Sequence, residues 1–415
     1  MEKRINAGIL QLTLGIALII ASVCGSILLV AYYQKLHFTE QSINELLNEN
    51  CSSGMQYFLA KRSGIAFNSP IKEDLYGEGS DSVEVIRKPW GLYEVAYVRA
   101  WRGKKTDSKT ALITSTSSKE GEASLYVPDR NSPLYLVGDT KIEGTVYLSD
   151  RKFSTGHIDG KDFSRSRLFE GQAKKSLPSM PALDTNLVSK VKQILTAEGK
   201  RSYSLNQMES LKSGYYPFAP SASLFESRQA IELRDSIMGG VVILSLIKIR
   251  VTSSAKLEDV ILIAPFIDID KGFEGTLQCF ATRQITVGSD SKLHYPSSLT
   301  LIGGENDSSI VVQRNAIVKG MILIPGYLGV QDKGILKIEK GAIFQGSAYV
   351  NGAAQVDGTS SGNLIAYSMQ VARNSVVYSD HVMDASIVGS VFSGVLPGSL
   401  SWTSGKEMLI AKWIR

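Results

Sequence analysis

Ile310–Ile324, IVVQRNAIVKGMILI, lies over Leu336–Val350, LKIEKGAIFQGSAYV, at an offset of 26 residues. Apolar residues coincide at both ends, Ala316 falls on Ala342, and Gly320 falls on Gly346. Leu134–Leu148, LYLVGDTKIEGTVYL, fits the same frame, with Gly144-Thr145-Val146-Tyr147-Leu148 over Gly346-Ser347-Ala348-Tyr349-Val350. Shorter copies are Gly240-Val241-Val242-Ile243, Asp259-Val260-Ile261-Leu262 and Gly275-Thr276-Leu277-Gln278, with Phe266-Ile267-Asp268-Ile269 and Ile285-Thr286-Val287-Gly288 between them. One such unit cannot bury its aliphatic face alone. Stacked units turn their inward residues into a continuous column, and Gly, Asp or Asn at the corners supplies the positive φ that a bend requires. The unequal spacing argues against a strict hexapeptide coil and for a right-handed parallel β-helix or looser β-solenoid. A β-sandwich satisfies the same short strands and regular turns.

Outward from the repeat, the next strong signal is the charge-free stretch Ile5–Gln34, INAGILQLTLGIALIIASVCGSILLVAYYQ. About 20 apolar residues span the hydrocarbon core of a bilayer, and a cleaved secretory signal has an apolar core of roughly 7–15. The segment therefore reads as a single transmembrane anchor, with Tyr32 and Tyr33 at the interface. Val23 before Cys24 is a poor lipoprotein site. Lys3 and Arg4 precede the segment, and Lys35 and His37, then Glu40, Glu45 and Glu49, follow it; this modest imbalance favours a cytoplasmic N-terminus and an exported, periplasmic remainder at a bacterial inner membrane.

Beyond it, Ile43, Leu46, Leu47, Met55, Phe58 and Leu59 recur at helical spacing, so a juxtamembrane helix follows and can continue the first as one rod. Val83–Thr114 alternates as three antiparallel strands, turning at Pro89-Trp90-Gly91 and Gly103-Lys104-Lys105. The expected organisation is 1–36 cytoplasmic stub and transmembrane helix, 37–63 juxtamembrane helix, and 64–133 antiparallel β region. Then come 134–148 with 230–362 as β-solenoid, 149–229 as an insertion with a short helix near Asp184–Thr196, and 363–415 as a C-terminal β tail or cap. Within that tail, Ala385–Phe392 and Met408–Ile414 read as strands, and the last can pair with or cap an open sheet edge.

Charge and cysteine content exclude more than they assign. A net charge of +5 over 415 residues implies no nucleic-acid partner. Cys24, Cys51 and Cys279 form neither a disulfide framework nor a metal cluster. The four histidines, His37, His157, His294 and His381, lack a second His or Cys at metal-ligand spacing, so no metal or cofactor is expected. Asp268-x-Asp270-x-Gly272-x-Glu274 resembles the start of a calcium loop, lacks the later glutamate, and reads as a corner turn. A polysaccharide-active β-helix needs clustered carboxylates on one sheet, for which Asp268, Asp270 and Glu274 with Arg283 are the candidates. Gly358-Thr359-Ser360-Ser361-Gly362 matches a nucleophile elbow in letters, but it leads into strand-like text where the elbow needs a helix. Trp90, Trp101, Tyr215 and Tyr216 could stack on sugars or pack strands. No residue is assigned as catalytic.

The coils over ~230–360 and 134–148 resemble the bactofilin-type β-helix, which implies a rigid rod without a catalytic pocket. The membrane helix, meander and insertion are additions to that pattern. The basic leader, apolar helix and phrase Cys51-Ser52-Ser53-Gly54-Met55-Gln56-Tyr57-Phe58-Leu59-Ala60-Lys61 resemble minor type IV pilins and type II secretion pseudopilins. With Gly8 as last leader residue, Thr13 stands where that family's usual glutamate would be. The whole layout is similar to an uncharacterised bacterial family of membrane-anchored β-helix proteins, which carries no activity to transfer. The expectation is a non-catalytic envelope structural or interaction protein, touching the lipid bilayer through its helix and protein partners through the rest. A minor pilin-like subunit comes second and a polysaccharide-active enzyme third.

Overall fold

The computed structural model describes residues 7–61, 64–75, 77, 82–115, 123–150, 152–181, 183, 193, 200, 203–218, 221–302, 308–326, 334–389 and 408–414. The chain divides into two compact units, Met1–Arg87 with Tyr97–Lys109, and Lys88–Ala96 with Thr110–Arg415. The described structure is mainly β, with one long apolar helix near the N-terminus.

In the first unit the helix runs unbroken from Ala7 to Lys61, 55 residues, so both expected helices are one rod. Its first half presents Ile9, Leu10, Leu14, Leu18, Leu28 and Phe38 fully outward. Its last part buries Leu47, Cys51, Met55 and Phe58, which share one face at i, i+4, i+8 and i+11. That face meets antiparallel strands, and Gly54 marks the closest approach. A Cβ there would lie 2.6 Å from Cγ1 of both Val83 and Val98. Glycine inside a helix costs about 1 kcal/mol against alanine; here it admits the strand side chains. Cys51 Sγ faces the Val98 carbonyl at 4.0 Å, and Lys109 Nζ donates to Ser52 Oγ at 2.7 Å.

The three meander strands are Ser82–Trp90, Tyr93–Arg102 and Lys105–Ser115, turning at Gly91 and Gly103, both at positive φ. Ile71–Glu73 adds at one edge and Met408–Ile414 at the other, making five strands.

The second unit is dominated by parallel pairing. The offset of 26 residues is its physical register: Ile310 pairs with Leu336, Ile317 with Ile343, Gly320 with Gly346 and Ile324 with Val350. One column runs Val251, Ile269, Val287, Val312, Ile338, Val356, each residue paired with the next and all buried. Each such side chain contributes roughly 1.5–3 kcal/mol on burial. Corners follow one pattern: Gly272, Asp290, Asn315 and Gly341 take φ of 57–79°. The next residue (Phe273, Ser291, Ala316, Ala342) donates its N–H back to the carbonyl three positions earlier.

A second row is apolar on both faces, which explains why MILI at 321–324 does not alternate. Ile243, Leu262, Cys279, Leu299, Ile322, Ala348 and Leu364 face the inner core. Leu244, Ile261, Ile263, Phe280, Met321, Leu323 and Tyr349 form a second cluster with Trp90, Tyr93, Leu112 and Phe218. Gln278 fixes the hairpin turn on this face. Its Oε1 accepts the Leu92 N–H at 2.9 Å, and its Nε2 donates to the Trp90 carbonyl at 3.1 Å.

The parallel sheet closes on itself and reaches beyond the spans expected for it. Glu170–Lys175, Ser204–Gln207, Gly214–Tyr216 and Ser223–Ser227 all pair in parallel, although 149–229 reads as an insertion. The helix expected near Asp184–Thr196 falls almost wholly outside the described residues. The copy at 134–148 stands beside later residues: Ile142 pairs with Ile387 and Val146 with Leu125, which pairs with Leu364. In the tail, Thr359–Arg373 and Ser386–Val388 are parallel strands, while 390–392 lies outside the described residues.

Candidate functional site

The outer polar residues of the parallel strands are charged, and neighbouring strands pair those charges. Lys248 Nζ contacts Asp268 at 2.5 Å, Arg250 Nε donates to Asp270 at 2.9 Å, and Arg250 Nη1 lies 3.5 Å from Glu232. Glu274 belongs to a different row, opposite Lys292 in register, with His294 Nε2 at 2.8 Å from its Oε1. The His294 hydrogen bond, then the Lys292 charge, hold the Glu274 carboxyl below the usual carboxylate range. Arg283 sits between the segments that pair as Ala264↔Ala281 and Phe266↔Gln284, at a corner. The structure thus brings Asp268 and Asp270 side by side and leaves Glu274 and Arg283 at other positions of the parallel sheet. Exposed pairs of this kind, screened by water, contribute little to stability. Asp270 and Gly272 belong to one of the left-handed corners.

Ser360 of the G-x-S-x-G string lies inside strand Thr359–Arg373 and is buried. It occupies an inward column, paired with Phe344 on one side and Ile387 on the other. No helix follows it, so the sharp strand-to-helix turn of an elbow is absent. Gly362 of the same string pairs with Gly346, which pairs with Gly320. These three have φ of 121–148°, and a Cβ at any of them would collide with the backbone carbonyl of the preceding strand. The string is one rung of a glycine column.

His157 pairs with Asp162 at 2.8 Å, and His381 stacks on Tyr135 with ring centroids 4.7 Å apart. His37 is exposed on the helix. Among the described residues, no group of three or more His, Cys, Asp or Glu is placed to hold a metal ion. Cys279 sits in the inner core, where burial pushes its thiol pKa far up and keeps it protonated. Of the candidate sugar platforms, Trp90 is buried against Phe218 at 4.8 Å, and Trp101 carries Lys72 Nζ 5.6 Å from its ring centroid. Tyr215 is half exposed, and Tyr216 donates its hydroxyl to the Lys212 carbonyl.

Two features escape residue-by-residue reading. Gln278 is a buried amide within an apolar run, and that misfit in the row was its one signal. Asp259, at φ 62° and buried, accepts Lys412 Nζ on both oxygens, at 3.0 and 2.9 Å. Nothing local in either sequence joins positions 153 residues apart. The helix is exposed and largely apolar from Ile9 to Tyr33, and long enough to cross a membrane. Comparison with protein-family models, curated proteins and solved structures finds no match.

Proposed function

We propose that the chain is a non-catalytic structural or interaction protein of the bacterial cell envelope, tethered by its N-terminal helix and presenting a right-handed β-solenoid outside the cytoplasm. The observation that carries this reading is the division of labour along one unbroken helix. Residues 9–33 are largely apolar and exposed, while Leu47, Cys51, Met55 and Phe58 are buried against strands. Water disfavours the first half strongly, and a bilayer accepts it. The solenoid reading is supported by buried columns advancing one coil at a time and by the repeated left-handed corner. Several of its outer charges pair across neighbouring strands, the expected finish for a stiff spacer whose position matters more than its chemistry.

The test is topology in a Gram-negative host. The full chain should stay in the membrane pellet after alkaline carbonate. A C-terminal tag should be removed by protease added to spheroplasts while an N-terminal tag survives. Release by carbonate, or a protected C-terminal tag, would sink the proposal.

A second reading, a minor pilin- or pseudopilin-like subunit, is favoured by Gly54. Close seating of the helix end on antiparallel strands leaves the apolar half free to pack against other helices. The intact mass of the mature chain separates the two: a chain beginning at Ile9 supports the filament subunit, and one beginning at Met1 rules it out.

A further inference from the structure

Two irregularities of the chain converge at one point. Between Glu258↔Thr276 and Val260↔Leu277 the register shifts, so Asp259 is an extra residue, held at φ 62°. In the last strand, Met408–Ile414, the register against Lys105–Ser115 shifts between Ile410 and Lys412, and Ala411 is the extra residue. Lys412 Nζ comes to 3.0 and 2.9 Å from the two carboxylate oxygens of Asp259, and to 2.7 Å from Glu258 Oε1. With C–O bonds of ~1.2 Å, an atom that close to both oxygens lies no more than about 3.4 Å from the carbon between them. That is within the ~3–3.5 Å of atoms poised to react.

The surroundings differ from those of several other pairs in the sheet. The Asp268, Asp270 and Glu274 side chains are 27–57 % exposed beside their cations, whereas Asp259 is 6 % exposed. A buried ion pair carries a desolvation cost that its mutual attraction hardly repays. Replacing it by a neutral amide and a released water removes that cost. Burial also holds the Asp259 carboxyl above its ordinary range, toward the acid form that can lose water. For Lys412, burial acts downward but is outweighed by the Asp259 and Glu258 charges. Its resting form is therefore the ammonium, which needs a base to become a nucleophile. Glu258, half exposed and in contact with Nζ, is placed as that base.

We propose that Lys412 and Asp259 condense into an intramolecular isopeptide bond, with Glu258 as the proton carrier. Glu258 takes a proton from the ammonium, and the freed Nζ lone pair attacks Asp259 Cγ to form the N–C bond. Two of the three ammonium protons pass through Glu258 to one Asp259 oxygen; the C–O bond breaks and that oxygen leaves as water. One proton stays on the amide nitrogen, Glu258 returns to its carboxylate, and no oxidant or co-reactant is consumed. The bond fixes a strand that is otherwise held lightly, since only Ile414 of it is buried. It does so in a chain whose Cys24, Cys51 and Cys279 are all free. It stands apart from the tethered-scaffold reading, because all three groups belong to the second unit.

The test is the covalent state of the purified full chain, denatured and digested with trypsin. An amide at Lys412 removes the charge at which trypsin cuts. The ion pair alone gives peptides 257–271 and 407–412 separately. The bond gives 257–271 joined to 407–415, lighter than their sum by one water, about 18 Da. The expected result is the joined peptide from the native chain and none from Lys412→Arg, which keeps the charge but offers no nucleophilic amine. Glu258→Gln should lower the joined fraction about tenfold or more. Separate peptides alone from the native chain overturn the bond and leave an ion pair. An undiminished joined fraction in Glu258→Gln overturns the role of Glu258.

Discussion

The helix end seated on its strands and the parallel rows bury apolar surface by opposite means. At the helix, a few unlike residues meet once: Gly54 admits Val83 and Val98, and Met55, Phe58 and Leu47 fill the remainder. In the rows, each residue meets its own counterpart on the next parallel strand, as Gly320, Gly346 and Gly362 do. The difference teaches where a defect is felt. A fault at the helix presses on a few unlike side chains, such as Val83 and Val98, and on no other rung. A fault in a row presses on backbone that is itself a rung for the next strand.

Five substitutions test that difference. The largest effect is expected for Gly346→Val, which forces a β-branched residue to φ 148° and onto the Gly320 carbonyl. Strain and overpacking together cost about 3 kcal/mol or more, read as a lowered denaturation midpoint, with hydrogen-exchange protection lost in neighbouring strands as well. Gly54→Leu meets the side chains of Val83 and Val98 and no strand backbone. It should cost about 1–3 kcal/mol, with protection lost at 47–58 and retained at 260–264. Equal, global loss from both variants would erase the distinction between the regions.

At a corner, Asn315→Ala should cost about 1 kcal/mol by placing a Cβ residue without asparagine's local hydrogen bonding at φ 57°, whereas Asn315→Gly should be nearly neutral; thermal melts compare the pair. The smallest effect concerns pH. Because the Glu274 pKa is lowered in the fold, its contribution is present above the ordinary value of 4.5 and is lost as pH falls through the lowered value. His294→Ala should move the Glu274 midpoint, followed by carboxyl NMR, up toward 4.5.

Much of the repeat was legible because stacking imposes like on like. The alignment of 310–324 with 336–350 is the register residue for residue, and the Gly, Asp and Asn corners are where the chain bends. The meander and its two turns were readable for a local reason, alternation ended by glycine. What the pattern could not carry is which strand neighbours which when the chain returns from far away. Leu125 beside Leu364, Ile142 beside Ile387 and Lys412 on Asp259 are of that kind. Periodicity reports that Ile142 faces a core; it does not say that Ile387 shares it. The polar strands at 170–175 and 204–207 were missed because they are mostly exposed and carry little apolar signal. For the candidate groups, adjacency in sequence misled: Asp270 and Glu274 are separated by a corner, and Ser360 points into a core column.

The central claim is that one helix does two separable jobs, tethering through 9–38 and packing through 47–58. Removing residues 1–38 and following the remaining chain by carbonate extraction and hydrogen exchange tests it most directly. The account predicts a chain released from the membrane with protection at 47–58 and 260–264 unchanged. Continued membrane retention, or loss of protection at 47–58, would contradict it.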